Sequence, residues 1–282
     1  MIRAVTAIVA LWCTAIYGTD TGGEDVPPAG GWRAGTHYQV LSPPQPTHAS
    51  AGNVEVLEFF SYECPHCNAL EPHLSGWLAA KPEHVEFTRI PVPWGQGRSY
   101  ARLYCTLQVL RRTDLHSKVF HTLFSEGHPL VAADDAATED LQRGFARAQG
   151  ITEADFRKAY RSAAVEECLG RADEAATAYR IEGVPTLVVN GKYLSDDDRA
   201  HGKGNLVELV KYLTGQECQA SAQAAASAAD WYCSEGRFPA GRRTPCPERH
   251  RQVALSGVLD YASSLCLSRD TTGATCGRDA SF

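Results

Sequence analysis

The sequence predicts an α/β fold in which strand–helix–strand, then hairpin and helix, are interrupted by an all-helical insertion. Three observations carry this. The apolar run Val54–Phe60 is followed at once by Cys-Pro-His-Cys and then by apolar residues at helical spacing. From Trp94 to about Arg171 the chain carries amphipathic helical spacing and no convincing strand. Strand character then returns at Thr186–Val189, directly before Asn190-Gly191.

At the N-terminus, Met1-Ile2-Arg3 carries one positive charge and Ala4–Trp12 is apolar except for Thr6, so residues 1–18 read as a secretory signal. Cys13-Thr14-Ala15 supplies small residues for cleavage, and the bulky Trp12 weighs against a lipoprotein site at Cys13. Residues 19–52, with Ser42-Pro43-Pro44-Gln45-Pro46, read as a poorly ordered leader with at most a short strand at His37–Leu41. The first part of the α/β domain follows at 53–93. Val54–Phe60 is apolar enough for a strand covered on both faces. A helix from Cys64 carries Leu70, Leu74, Trp77 and Leu78, and Pro72 inside it predicts a kink. Val85–Ile90 is a second strand.

The insertion is placed at 94–173. Tyr100, Leu103, Tyr104, Leu107 and Leu110 mark one helix. Leu115, Val119, Leu123 and Phe124 mark another that ends near Gly127. Thr138 is expected to cap a third, and Thr152-Glu153-Ala154-Asp155 reads as a capping box opening a fourth. The second part of the α/β domain, 174–215, holds Thr186–Val189, a two-residue type I′ turn at Asn190-Gly191, the return through Lys192-Tyr193-Leu194, and a helix from Asn205 stopped by Gly215. Residues 216–282 carry Cys218, Cys233, Cys246, Cys266 and Cys276, an odd number, and read either as a small disulfide-stapled module or as an irregular extension.

The chain has 282 residues and a net charge of −6, which argues against nucleic acid or an anionic membrane as its partner. Its ten cysteines raise the question of redox compartment, and export places them where disulfides persist. Cys64-Pro65-His66-Cys67 sits where a buried-type strand feeds a helix. The unpaired N–H groups of that helix end stabilise a thiolate on Cys64, His66 adds positive potential when protonated, and Pro65 is tolerated where no amide proton is needed. A stabilised thiolate leaves more readily and favours the dithiol, so the disulfide becomes an oxidant. A structural disulfide across two residues and a zinc knuckle are the competing readings; the knuckle lacks a second Cys-x-x-Cys, and no metal or cofactor is expected. Gly183-Val184-Pro185-Thr186 precedes a strand where proline is out of place, which points to a cis Val184–Pro185 bond. Cys105 and Cys168 are either buried free thiols acting as small hydrophobes or a structural disulfide.

Glu58-Phe59-Phe60-Ser61-Tyr62-Glu63-Cys64-Pro65-His66-Cys67, Pro72, and Gly183-Val184-Pro185-Thr186 with helices between them resemble the DsbA-type thiol:disulfide interchange proteins of the bacterial periplasm, members of the thioredoxin-fold superfamily. The resemblance runs from Asn53 to Gly215. It implies a thioredoxin-like fold, Cys64 as the exposed nucleophile of a redox-active Cys64–Cys67 disulfide, Cys67 as its buried partner, and Val184, Pro185 and Thr186 as the segment that meets substrate backbone. It further implies unfolded exported proteins with free cysteines as substrates and a DsbB-type, membrane quinone-linked reoxidant. A monomer is expected. Glu58, on the strand before the box, and Glu71, after it, resemble acidic residues beneath the redox pair, with Arg89 as a basic partner. Glu58 interrupts an apolar strand, as a group relaying the Cys67 proton would; Glu71 and Arg89 fit either that role or a solvated surface. The alternatives are a disulfide isomerase or reductase of the same fold, for which residues 20–52 are too short to form a dimerisation domain, and a non-catalytic periplasmic holdase. Nothing in the family pattern matches residues 216–282.

Overall fold

A computed structural model describes residues 31–95 and 97–235. The expected signal segment, the start of the leader and the greater part of the C-terminal extension lie outside the described residues. One five-stranded sheet holds β1 (Gln39–Val40), β2 (Val54–Phe60), β3 (Val85–Pro91), β4 (Thr186–Val189) and β5 (Tyr193–Asp196) in the order β1-β5-β4-β2-β3. β2 and β3 are parallel, joined by α1 (Pro65–Leu78), and the other pairings are antiparallel. All seven residues of β2 are buried because both faces of the sheet are covered. Val54 and Val56 pack with Leu70 and Leu74 of α1 and with Leu206 and Leu209 of α7 (Lys203–Glu235). Leu57 and Phe59 pack on the other face with Ala176 and Tyr179.

Between β3 and β4 stand α2 (Gly97–Val109), α3 (His116–Phe120), α4 (Asp135–Ala148), α5 (Glu153–Tyr160) and α6 (Ala163–Ala178). α3 is entered through a 3₁₀ turn at Thr113–Leu115 and left through a π turn at His121–Ser125, one continuous helical run ending before Gly127. Leu103, Leu107, Val119, Phe120, Phe145 and Phe156 form a core that also takes in Phe60, Tyr62 and Cys67, so the inserted helices pack against the redox end of the sheet. Cys105 of α2 and Cys168 of α6 are joined by a disulfide with Cα atoms 5.9 Å apart, not held as free thiols.

Several local expectations are corrected. Asp134, not Thr138, caps α4 by accepting from Ala137 N; the Thr138 hydroxyl instead takes the Ala132 N–H across a buried turn. Thr152 caps α5, but its partner Asp155 accepts the Thr152 hydroxyl proton rather than a backbone N–H. α6, capped by Ser162, runs to Ala178, beyond the expected end near Arg171. α1 spans Pro65–Leu78 with Pro72 inside it, a residue that cannot donate to the Asn68 carbonyl. Asn190 and Gly191 both have positive φ, and Lys192 N donates to Val189 O, as a type I′ turn requires. The ladder, however, pairs Val189 with Tyr193, so the return strand starts one residue late. Gly191 is required for a second reason: a Cβ there would stand 2.1 Å from the Gln45 carbonyl oxygen.

The leader is not loose where it is described. Its strand is Gln39–Val40, paired with β5, and Leu41 N and Gln45 N donate to Lys192 O and Gly191 O. Gly215 does not stop the last helix. α7 runs on to Glu235, 33 residues in all, because the Ala-rich stretch from residue 219 has high helix propensity and Gly215 costs only about 1 kcal/mol in an interior. The first twenty residues of the C-terminal extension are therefore helix, and Cys218 within them is disulfide-bonded. Among the described residues no helix is long and apolar enough to cross a membrane.

Candidate active site

β2 delivers the chain into a short turn, and Cys64 becomes the N-cap of α1 with extended backbone, φ −85° and ψ 116°. Pro65 follows at the first helical position, and the Cys64 Sγ accepts from the Cys67 N–H at 3.4 Å. Cys64 and Cys67 are both free thiols in this state, the first half-buried and the second fully buried. A hydrogen bond from the Cys67 thiol, helped by the Cys67 and His66 backbone N–H groups and the His66 charge and opposed by burial, brings the Cys64 thiol down to about 6. Burial, with the hydrogen bond to Cys64 and that residue's charge, pushes the Cys67 thiol up. The pair is thus split into one thiolate and one thiol at neutral pH.

Val184 lies across from the box. Its carbonyl oxygen accepts from the Cys64 thiol at 3.3 Å, and the Val184–Pro185 bond is cis. Thr186, buried at the start of β4, spends its hydroxyl on the Gly183 carbonyl. A cleft of about 480 Å³ runs beside this segment, lined by Val184, Pro185, Thr186 and the loop after β5. His66 is 62% exposed, and its Nδ1 lies 3.1 Å from Asp197 Oδ2.

Beneath Cys67 is a buried charge network. Glu58 and Arg89 are directly opposite in the β2–β3 register, and Arg89 Nε donates to Glu58 at 2.9 Å while its Nη2 donates to Glu71 at 3.0 Å. Glu71 is buried and the Arg89 side chain is only 14% exposed, so the solvated-surface reading is corrected for both: the parallel ladder and α1 fold them inward. Burial pushes the Glu58 carboxyl up to about 7 against the pull of Arg89. Glu71 goes the other way: despite burial, His116, Arg89 and Ser117 hold it down to about 2. His116 is kept neutral by burial, at about 4. Its Nδ1 faces the Tyr62 hydroxyl at 3.0 Å, and its Nε2 lies 3.4 Å from Glu71. With the ring neutral, Tyr62 donates to Nδ1, and Nε2 stays close to Glu71 without a hydrogen bond of its own.

The structure therefore brings Cys64, Pro65, His66, Cys67, Val184 and Pro185 together, with Glu58, Glu71 and Arg89 below. Tyr62, His116, Ser117 and Asp197 complete the surroundings, and sequence reasoning does not single them out. The Tyr before the box is the one readable signal; the others come from distant segments. The Cys105–Cys168 bond lies apart, between α2 and α6. Among the described residues no cluster of His, Cys, Asp and Glu has the arrangement of a metal site.

A split dithiol at a helix end, on a sheet of this order and facing a cis-proline segment, defines a thioredoxin-fold oxidoreductase. Residues 55–213 match the model of the DSBA-like thioredoxin domain. The chain is 34% identical over 209 residues to the thiol:disulfide interchange protein DsbA of Azotobacter vinelandii, covering 72% of this chain and 92% of that protein. It is 32% identical over 215 residues to the protein of the same name from Pseudomonas aeruginosa, covering 76% and 95%. The crystal structure of Pseudomonas aeruginosa DsbA superposes with a TM-score of 0.61 at 33% identity, over 67% of this chain and 96% of that one. The oxidoreductase DsbA from Xylella fastidiosa gives 0.58 at 28% identity, over 64% and 94%. The chain belongs to the DSBA-like thioredoxin domain family, and it is an oxidoreductase of the thiol:disulfide interchange class.

Proposed function

We propose that the protein is a periplasmic dithiol oxidase that donates its Cys64–Cys67 disulfide to newly exported proteins with free cysteines. A substrate thiolate attacks the Cys64 sulfur, the Cys64–Cys67 bond breaks, and Cys67 leaves with the electron pair and takes up a proton. A second substrate thiolate then attacks the substrate sulfur of the mixed disulfide and expels Cys64 as a thiolate. Two electrons pass from the substrate dithiol to the enzyme, and the substrate leaves with a disulfide. The observation that carries this reading is the split dithiol: a Cys64 thiol at about 6 is a good leaving group and stabilises the reduced enzyme, which drives transfer toward the substrate.

Glu58 is the group suited to exchange a proton with Cys67, because its carboxyl sits near neutrality in a buried site beneath that thiol. The Val184 carbonyl faces the Cys64 sulfur that the substrate attacks, and an extended substrate running beside it is read through main chain, which suits many sequences. A DsbB-type membrane protein that passes electrons to quinone returns the dithiol to the disulfide. Residues 1–18 direct export, and the enzyme acts as a monomer. Thiolate absorbance of the reduced protein between pH 4 and pH 9 tests the chemistry: a Cys64 midpoint near 6 is expected, and one near 9 refutes it. Oxidation of a reduced unfolded ribonuclease faster than reduction of insulin is expected beside it, and the reverse order identifies a reductase.

A further inference from the structure

The loop between β5 and α7 places one carboxylate against the redox box. The Asp197 side chain is 11% exposed, and its Oδ2 receives His66 Nδ1 at 3.1 Å and Lys203 Nζ, from the first residue of α7, at 2.9 Å. The loop itself is held: Ala200 N and Gly202 N donate to the Asp196 and Asp197 carbonyls, and Arg199 N donates to Asp196 Oδ1. His66 is the reverse, an exposed ring on a first helical turn that Asp197 anchors through Nδ1. An exposed imidazole without an anchor samples several rotamers, and its field at a neighbouring sulfur falls as it swings into solvent.

We propose that Asp197 is a positioning residue for thiol:disulfide exchange: its Oδ2 fixes the His66 ring beside Cys64 and so keeps the imidazole's charge and dipole directed at the sulfur. The charged groups around the ring are the Cys64 sulfur on its own helix, Asp197 on the loop and Lys203 on α7. The inference rests on the reading of Cys64 as the thiolate of the reduced enzyme. Two effects of Asp197 oppose each other. Its negative charge disfavours a nearby thiolate, whereas its hydrogen bond holds the group that favours one. Two neutral replacements separate them. Asp197→Asn keeps an acceptor for the Nδ1 proton and Asp197→Ala does not, while both remove the same charge from beside Lys203.

The experiment is the equilibrium of the full-length protein with reduced and oxidised glutathione at pH 7, for wild type, Asp197→Asn and Asp197→Ala, each also with His66→Ala. Asp197→Asn is expected to be at least as oxidising as wild type, and Asp197→Ala less oxidising than Asp197→Asn by about threefold or more. With His66→Ala, the two Asp197 variants are expected to coincide within about 1.5-fold, a coupling that a purely structural loop residue does not produce. Equal constants for Asp197→Asn and Asp197→Ala with His66 present overturn the inference, as does a difference that survives His66→Ala. A wild-type constant no higher than that of an unperturbed dithiol overturns instead the reading of Cys64 on which it rests. Urea unfolding of each variant identifies loss of fold independently of the redox constant.

Discussion

Replacing Arg89 by methionine keeps a long apolar stem and removes the cation shared by Glu58 and Glu71. The cost can be worked from the two carboxyls, whose shifts have opposite signs. Glu71, held down to about 2 from 4.5, contributes stability that is present above its unfolded pKa and lost as pH falls toward 2. That shift is worth about 3 kcal/mol at pH 5 and above. His116, whose pull on this carboxyl exceeds that of Arg89, and Ser117 remain to hold most of it, so the variant forfeits about 1–2 kcal/mol. Glu58, pushed up to about 7, does the reverse: its protonated form is the comfortable one, and stability is lost as pH rises from 4.5 through 7. At pH 5 it is protonated with or without Arg89 and adds nothing. At pH 8 the wild type lets it ionise beside Arg89, whereas the variant keeps it protonated, at about 1 kcal/mol more. The expected loss is thus about 1–2 kcal/mol at pH 5 and about 1 kcal/mol larger at pH 8, where it approaches the roughly 3 kcal/mol at the low end for breaking one side of a buried ion pair. Urea unfolding of the oxidised protein at the two pH values measures it. A loss below about 1 kcal/mol at both, or one that shrinks as pH rises, refutes the assignment.

Other outcomes follow from the same geometry. Cys67→Ser, first charged at Cys64 as the mixed disulfide with glutathione, should exchange glutathione for a reduced, unfolded substrate and accumulate the Cys64–substrate mixed disulfide on a non-reducing gel, and Cys64→Ser should form none. The Cys105→Ala, Cys168→Ala double variant opens a cross-link of sequence separation 63 and should lose up to about 4 kcal/mol in urea unfolding, with the Cys64 titration unchanged. Gly191→Ala should cost at least about 1 kcal/mol in thermal unfolding, because positive φ and the Gln45 carbonyl both oppose a Cβ there.

What is legible in the sequence is what is local. Val54–Phe60 followed by Cys64-Pro65-His66-Cys67 specifies strand, N-cap and reactive sulfur within fourteen residues, and each piece agrees with the next. Glu58 stands out because a carboxylate in an apolar strand must find a partner. Its partner Arg89 can be named but not placed, since the β2–β3 register that puts the two side by side is a tertiary fact. His116, Ser117 and Asp197 carry no signal at all. They reach the site because the insertion folds back onto β2 and because the loop after β5 runs past α1. The overreading of Gly215 as a stop shows the other limit: one glycine is weighed against the whole window around it, and the alanines beyond outweigh it. At Asn190-Gly191 the turn type is readable but the pairing is not, because the leader strapped against Gly191 also bears on where β5 begins.

The bond between α2 and α6 also bears on how the chain finds its fold. β4 pairs with β2 across the whole insertion, so the sheet cannot close until the end of β3 and the start of β4, about 95 residues apart, are brought together. Travelled through Cys105–Cys168, that path is about 32 residues, and the entropy of closing it falls by about 1 kcal/mol. A reduced newborn chain assembles its sheet by the long detour and an oxidised one by the short cut. An early Cys105–Cys168 bond therefore favours closure of the sheet about fivefold over the reduced chain, a head start that comes from a pair of cysteines outside the redox site.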